Sequence, residues 1–211
     1  QRLSRGLGDV YKRQAYYNPS QIASASDLRT SIISSLNSYA KNVELNKFGG
    51  RFKYSKVNTL IDRVDNGITS NITKVIVRRD LKALLNQFAQ YELCFGNKFN
   101  INPAGYNVKS TGFTINGFND IAYITDVPNK TASGSLDGSN MGTLSVVIKN
   151  NRGEQRVIVK DAGVVDYKKG EVILNTINIT STVSDNNIIE VQAFPCLLYK
   201  SDAADDDHCV D

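Results

Sequence analysis

The chain has 211 residues, and its 25 Lys and Arg residues against 21 Asp and Glu residues give a formal net charge of +4. A chain of this length can bury a substantial hydrophobic core, as one domain or as two small ones. Its cations are spread along the sequence without a basic block, which favours an ordinary solvated surface over a nucleic-acid footprint. No apolar run approaches the roughly 20 residues that cross a bilayer, so we expect no membrane partner.

Both ends of the chain resemble translated sequencing adapters. Residues 4–14 read SRGLGDVYKRQ, whose last six letters a transposon-end adapter encodes, and residues 196–206 read CLLYKSDAADD, similar to the opposite adapter. A targeting peptide is the alternative for the first end, but the apolar stretch that such a peptide needs is missing there. We therefore expect residues 1–14 and 196–211 to be artefacts, and residues 15–195 to be a fragment of a longer natural protein.

Without those ends the chain lacks the side chains that many enzymes use. His208 is the only histidine, and Cys196 and Cys209 belong to the same tail, so Cys94 is the one natural cysteine. Ser-His-Asp catalysis, Cys-His catalysis and Cys/His zinc sites are therefore excluded within residues 15–195. A single thiol forms no intrachain disulfide, which is typical of assembly in a reducing cytoplasm. With no His or basic cluster beside it in sequence, Cys94 is expected to be a buried or half-buried hydrophobe rather than a reactive thiol.

Two amphipathic helices are predicted first. Ser26 is the expected N-cap of a helix that runs to about Lys41, and Asp27 in its first turn suits the helix dipole. A core-packing role is favoured for its apolar face, which carries Leu28, Ile32, Leu36 and Tyr39. A second, shorter helix begins with Ser55 as N-cap and ends at residues 65–67, where Gly67 can take a positive φ. Its apolar positions are Val57, Leu60, Ile61 and Val64.

Strands dominate the rest of the chain. Alternating β-branched residues predict a strand at residues 72–79, whereas residues 81–88 read as a short helix or a turn. Further strands are expected at residues 89–95, 143–149, 155–160, 163–166, 171–174 and 188–194, with loops and short strands over residues 97–142. Helices first and strands afterwards is the α+β pattern. We therefore predict an α+β fold class, with a helical segment at residues 15–70 and an antiparallel, meander-like or sandwich-like β-rich domain at residues 71–195.

Three segments carry a resemblance to a known family. They are FGGRFKYSKVNTLIDRVDNGITSN from Phe48, with VIVRRDL after it, YELCFGN from Tyr91, and GVVDYKKGEVIL from Gly163. In order and spacing they resemble the C-terminal portion of a baseplate wedge protein of T-even-type contractile-tailed phages, related to the baseplate J-like proteins. The resemblance implies a structural subunit of the virion tail baseplate, assembled in the host cytoplasm, which forms a homodimer and joins other wedge proteins. It implies no cofactor, no small-molecule substrate and no catalytic step.

Within the first of these segments, Phe48, Arg51, Phe52 and Tyr54 form a family-like motif and are the candidate interface residues. Basic residues interleaved with aromatic ones can also bind single-stranded nucleic acid. That alternative is disfavoured because these aromatic residues fall near helix and strand boundaries, where a core needs them.

A few acidic residues suggest other chemistry. Glu92, Glu171 and Glu190 lie in predicted strands, where a glycosidase could place an acid and a nucleophile. Strand carboxylates are more often the solvent side of an alternating pattern, and the chain has no Trp to stack on a sugar. Asp62 and Asp65 lack the spacing and the bidentate Glu of a calcium loop, so the sequence predicts no metal site. The acidic run that ends at His208 belongs to the adapter-like tail.

The alternative function is a β-rich receptor-binding or carbohydrate-binding module of a phage tail fibre or adhesin. Such a module is expected to show surface aromatic clusters, especially of Trp, and often internal repeats. The chain has no Trp and no convincing repeat, so the baseplate interpretation is preferred.

Overall fold

The structure is a computed structural model that describes residues 10–42, 52–149 and 154–196. The chain divides into two compact units, Gln1–Ile76 and Val77–Asp211, here called unit 1 and unit 2. Eleven β-strands and two α-helices lie in the described ranges. None of the helices there is long and apolar enough to cross a membrane.

Unit 1 joins a two-stranded antiparallel sheet to a pair of helices. Strand β1 (Val10–Tyr17) pairs with β2 (Ile68–Val75), and the chain between them forms α1 (Ala25–Ala40) and α2 (Tyr54–Asp62). The apolar faces of both helices meet in a small core, as the helical spacing of these residues dictates. Its buried members are Ile22, Leu28, Ile32, Leu36, Val57 and Ile61. The predicted core-packing role of the first helix is confirmed.

The helix ends differ from the prediction in detail. Ser24, not Ser26, caps α1, because its hydroxyl accepts a hydrogen bond of 3.3 Å from the backbone N–H of Asp27. Ser55 lies inside α2, whose N-cap position is Lys53 and has no side-chain cap. Gly67 is not among the glycines with positive φ. It is required for space instead, since a Cβ there would lie 2.7 Å from Cγ1 of Ile22.

Unit 2 contains the remaining strands, all antiparallel to their neighbours. They are β3 (Val77–Lys82), β4 (Phe88–Cys94), β5 (Val108–Ser110), β6 (Phe113–Ile115), β7 (Phe118–Pro128), β8 (Met141–Lys149), β9 (Gln155–Asp166), β10 (Glu171–Thr182) and β11 (Ile188–Ala193). A short 3-10 turn, Asp185–Asn187, precedes β11. The single strand expected at residues 72–79 is thus divided at Ile76 between β2 and β3, which belong to different units.

Five of these strands close into a barrel. Strands β6, β7, β8, β9 and β10 pair in that order, and β10 returns to β6 through the partners Ile179 and Ile115. Strands β5, β11 and β3 extend the sheet from β7, and β4 pairs with β10. The inward positions of the alternating strands fill the interior. The fully buried side chains of unit 2 include Phe99, Phe113, Ile124, Leu144, Val165, Leu174, Ile179 and Ile189.

The predicted α+β fold class is therefore wrong. In the residues that the structure describes, the fold is mostly β, with a five-stranded barrel and two short helices. Two strand pairings contradict the predicted arrangement of helices followed by a β-meander. β1 precedes both helices in the chain yet pairs with β2, which follows them. The pairing of β6 with β10 closes the strands into a ring instead of leaving an open meander.

Residues 81–88 do not form the short helix that their spacing allows. β3 continues to Lys82, and Leu81 is buried opposite Ile189 of β11. A turn with Asn86 at φ 58° then leads into β4. Burial of Leu81 in the core of unit 2 outweighs the weak helical periodicity of this short segment.

Candidate functional site

The structure describes two residues of the family-like motif, and it places them differently. Phe52 is 38% exposed. Tyr54 begins α2, and its hydroxyl donates a hydrogen bond of 2.6 Å to the carbonyl oxygen of Thr73 in β2. Tyr54 therefore fixes the helix to the sheet within unit 1, whereas Phe52 is available at the surface. Phe48 and Arg51 lie outside the described residues.

The acidic residues at the end of α2 are engaged in turn formation. The Asp65 carboxylate accepts a hydrogen bond of 2.7 Å from the backbone N–H of Gly67. The Asp62 carboxylate accepts one of 2.6 Å from the side-chain amide of Asn71. In the described part of the chain, no group of three or more His, Cys, Asp and Glu side chains could hold a metal ion.

The three strand glutamates of the predicted β region have separate environments. Glu190 is buried on β11 and lies 3.2 Å from the Arg78 guanidinium. Glu171 forms an ion pair of 3.6 Å with Lys169 across the turn that precedes β10. Glu92 accepts a hydrogen bond of 3.6 Å from the Cys94 thiol. Each carboxylate thus has a local partner that accounts for its position.

Cys94 is exposed, so the prediction of a buried or half-buried side chain is wrong. It lies at the end of β4, where alternate side chains face solvent. Partial desolvation raises the pKa of its thiol, and the hydrogen bond to Glu92 and that residue's negative charge raise the pKa further. The thiol therefore stays protonated near neutral pH, which disfavours nucleophilic reactivity.

The most concentrated polar arrangement lies inside unit 2 and centres on Asp126, which is fully buried. One carboxylate oxygen accepts a hydrogen bond of 2.7 Å from the backbone N–H of Val108. The other accepts bonds of 2.9 Å from the Asn107 amide and 2.5 Å from the Tyr167 hydroxyl. Three donors thus compensate the cost of burying the carboxylate. We call Asp126, Asn107 and Tyr167 the buried triad.

The buried triad connects segments that are far apart in sequence. Asp126 lies near the end of β7, Asn107 immediately precedes β5, and Tyr167 lies in the turn between β9 and β10. Asn107 also accepts a hydrogen bond of 2.7 Å from the backbone N–H of Asn102. A Cβ on Gly142 of β8 would collide with the Tyr167 hydroxyl, so only glycine fits there. The triad holds these strand ends together.

The electrostatics of the triad favour a permanent hydrogen bond over acid–base chemistry. Burial raises the pKa of Tyr167 well above its ordinary value, and the negative charge and the hydrogen bond of Asp126 raise it further. The phenol is therefore a fixed donor at neutral pH. The sequence analysis missed this group, although Asp126 occupies an inward position of the alternating set Ala122, Ile124 and Asp126.

Two surface grooves lie in different units. In unit 1, a groove of about 700 Å³ runs along α1 and α2, and hydroxyl side chains form much of its wall. In unit 2, a groove of about 270 Å³ lies beside Phe88, which is 72% exposed at the start of β4. Its other walls include Ile115, Asn116, Ala162 and Ile177. Among the described residues, the unit 1 groove has no carboxylate beside its hydroxyl groups, and the unit 2 groove has one carboxylate, that of Asp161.

Comparison with protein families gives a match to part of the chain. Residues 11–80 match the baseplate structural protein gp6, C-terminal domain III. The resemblance to the C-terminal portion of a baseplate wedge subunit is confirmed. The family supports a structural role in a phage baseplate and a place in the virion tail. No curated protein matched the chain.

The matched residues, here called the matched segment, span β1, α1, α2 and β2 and reach into β3. The match includes Phe48, Arg51, Phe52 and Tyr54. The segments at Tyr91 and Gly163 lie outside it, so their resemblance to the same family remains a prediction. Both the match and β1 begin within residues 1–14, and the adapter origin of those residues likewise remains a prediction.

Proposed function

We propose that this chain is a structural fragment of a baseplate wedge subunit, which acts through protein–protein interfaces in baseplate assembly and rearrangement. The family match over residues 11–80 carries this proposal. Its partners are a second copy of the chain and other baseplate wedge proteins, with no nucleic acid, membrane or small-molecule substrate. The protein is assembled in the host cytoplasm into a contractile tail, and it performs no catalytic step.

The arrangement of polar groups supports a mechanical role. The buried triad and the Arg78–Glu190 ion pair use their charges to fix strands inside unit 2. Such groups rigidify a fold when they are fully satisfied. Rigid units that contact other proteins through exposed side chains are suited to a baseplate ring, because their interfaces can form during assembly and change during rearrangement while each unit keeps its fold.

Phe52 is the motif residue that we propose contacts a partner. It is 38% exposed in the matched segment, while Tyr54 donates an internal hydrogen bond. Aromatic side chains, Phe among them, are enriched in protein–protein interfaces relative to the rest of the surface. Ile72 of the same unit is 46% exposed and lies outside the motif, so it provides a matched control.

The test measures association of the full chain and of two variants by analytical ultracentrifugation, alone and mixed with baseplate proteins encoded by the same phage. We expect the unchanged chain to associate, Phe52→Ser to weaken association by tenfold or more (~1.4 kcal/mol), and Ile72→Ser to leave it close to the original value. A chain that stays monomeric and binds none of these proteins contradicts the assembly role. Equal losses in the two variants contradict the assignment of Phe52, and glycan binding would favour the receptor-binding alternative.

A further inference from the structure

The chain contains two Asn-Gly pairs, Asn66–Gly67 and Asn116–Gly117. An asparagine followed by glycine can lose its side-chain amide without an enzyme, because the next backbone nitrogen can attack the amide carbon. Glycine favours this attack, since it has no Cβ to hinder the approach and it turns readily. Whether the reaction occurs in a folded protein depends on the freedom of that nitrogen. The two pairs differ in this respect.

The Asn116–Gly117 pair lies in an exposed turn. It forms the two-residue connection between β6 and β7, closed by the pairing of Ile115 with Phe118. Gly117 has φ +88°, as the second central residue of a type II turn requires. Both residues are exposed, and no atom beyond Gly117 and its two neighbours in the chain lies within 4 Å of the place where a Gly117 Cβ would be. Within the described ranges, the Gly117 N–H and the Asn116 side chain have no hydrogen-bond partner.

The Asn66–Gly67 pair is restrained by hydrogen bonds and by burial of Gly67. The Gly67 N–H donates to the Asp65 carboxylate at 2.7 Å, so the attacking nitrogen is already bound. The Gly67 carbonyl accepts a hydrogen bond of 2.9 Å from the backbone N–H of Asn18. Gly67 is also buried, with Ile22 packed against the place of its missing Cβ. The backbone around this pair cannot turn to bring the nitrogen onto the side-chain amide.

We propose that Asn116 is a site of spontaneous deamidation in the folded protein and that Asn66 is protected from it. The Gly117 nitrogen gives its proton to solvent base and bonds to Cγ of Asn116. The bond from Cγ to the amide nitrogen breaks, and ammonia leaves. Water then opens the resulting cyclic imide at either carbonyl, which yields aspartate or isoaspartate. No oxidant or reductant is needed.

The product changes the surface of unit 2. Asn116 forms part of the wall of the groove beside Phe88, so the reaction places a carboxylate next to apolar side chains of that groove. Isoaspartate also adds a methylene group to the main chain of the β6–β7 turn. The backbone N–H of Asn116 bonds to the Asn178 carbonyl at 3.0 Å, and the longer main chain would strain this contact.

The experiment incubates the folded full chain at mildly alkaline pH in heavy-oxygen water and follows both pairs by peptide mass spectrometry. We expect oxygen label and isoaspartate at residue 116, formed several-fold faster than at residue 66. In urea the two pairs should react at similar rates, because the difference belongs to the fold. Intact Asn116 in the folded chain, or equal conversion of both pairs there, would overturn the proposal.

Two variants test whether the local structure around each pair, and not the Asn-Gly sequence alone, sets the rate of deamidation. Asn116→Gln should abolish conversion at residue 116 and leave residue 66 unchanged. Asp65→Ala removes the acceptor that binds the Gly67 N–H, so Asn66 should begin to convert while Asn116 keeps its rate. Conversion at Asn66 should stay slower than at Asn116, because the hydrogen bond from Asn18 and the packing of Ile22 remain. Circular dichroism confirms that each variant is folded. If Asn66 stays inert in folded Asp65→Ala, the Asp65 hydrogen bond is not what protects it, and this part of the proposal is wrong.

Discussion

The hydroxyl of Tyr167 donates a hydrogen bond of 2.5 Å to the carboxylate of Asp126, and both residues are fully buried in unit 2. The bond joins the turn between β9 and β10 to the end of β7, residues that lie 41 positions apart. It also completes the set of donors around a buried charge. Its removal should therefore affect stability more than the loss of an average hydrogen bond.

We expect Tyr167→Phe to lower the free energy of unfolding by about 1–3 kcal/mol, because one oxygen of a buried carboxylate loses a charge-assisted donor. Urea denaturation of the full chain measures the change. Tyr106→Phe is the matched control, since Tyr106 is 46% exposed and its hydroxyl has no partner in the described residues. It should alter stability by less than ~0.5 kcal/mol. Equal effects of the two substitutions would show that the hydrogen bond to Asp126 adds no measurable free energy of unfolding.

The same contact predicts a loss of stability in alkali. The pKa of Tyr167 is raised in the folded state above the ordinary value of 10.0, so the unfolded chain loses this proton first. The contribution of the protonated phenol is fully present below pH 10.0 and decreases as the pH rises above that value. Urea midpoints measured at increasing alkaline pH should fall more steeply for the unchanged chain than for Tyr167→Phe. Parallel slopes would contradict the raised pKa.

The sequence predicts the parts of this fold that depend on local periodicity. The buried face of α1 follows from the spacing of Leu28, Ile32 and Leu36, and alternation places β4 close to its observed bounds. The strands predicted at residues 163–166 and 171–174 lie within β9 and β10, where Asp166 pairs with Glu171. In these cases the information lies within a few residues.

Closure of the barrel cannot be predicted from such local sequence patterns. The pairing of Ile115 with Ile179 joins strands more than sixty residues apart, and no local pattern specifies that partner. The pairing of β1 with β2 is also distant in sequence, since even its nearest partners, Tyr17 and Ile68, are 51 positions apart. The buried triad depends on these long-range pairings, so its members become neighbours only in the folded chain. Of the three members, only Asp126 could be singled out from the sequence, as a charged residue at an inward position of an alternating strand.

Gly142→Ala tests the close packing around Tyr167. A Cβ at this position would collide with the Tyr167 hydroxyl and lie 2.9 Å from its Cζ atom. Overpacking of this kind typically costs about 1–3 kcal/mol. Thermal or urea denaturation should show the loss, and the cost should be smaller when Tyr167→Phe removes the hydroxyl. Because contacts with the ring and with the Val127 carbonyl remain, we expect partial relief. Strictly additive effects in this double-mutant cycle would contradict the assigned collision.

Arg78→Met tests the second charged contact inside unit 2. The Arg78 guanidinium lies 3.2 Å from Glu190, whose side chain is 7% exposed, and it also pairs with Asp80 at 2.9 Å. Removal of the cation takes one positive partner from a buried carboxylate, and the loss of a partner in a fully buried pair costs about 3–5 kcal/mol. Arg78 itself is 21% exposed, so we expect a loss at or below the lower end of that range.

Asp80→Asn is the control for Arg78→Met, because Asp80 is 34% exposed and its contact with Arg78 is partly screened by water. Surface pairs of this kind are worth about 0–1 kcal/mol. Urea denaturation should therefore rank Arg78→Met well below Asp80→Asn in stability. Glu190→Gln should fall between them, since the amide removes the buried charge together with its need for a cation. If Arg78→Met is no less stable than Asp80→Asn, Glu190 does not depend on the Arg78 cation, and the ion pair does not stabilise the contact between β3 and β11.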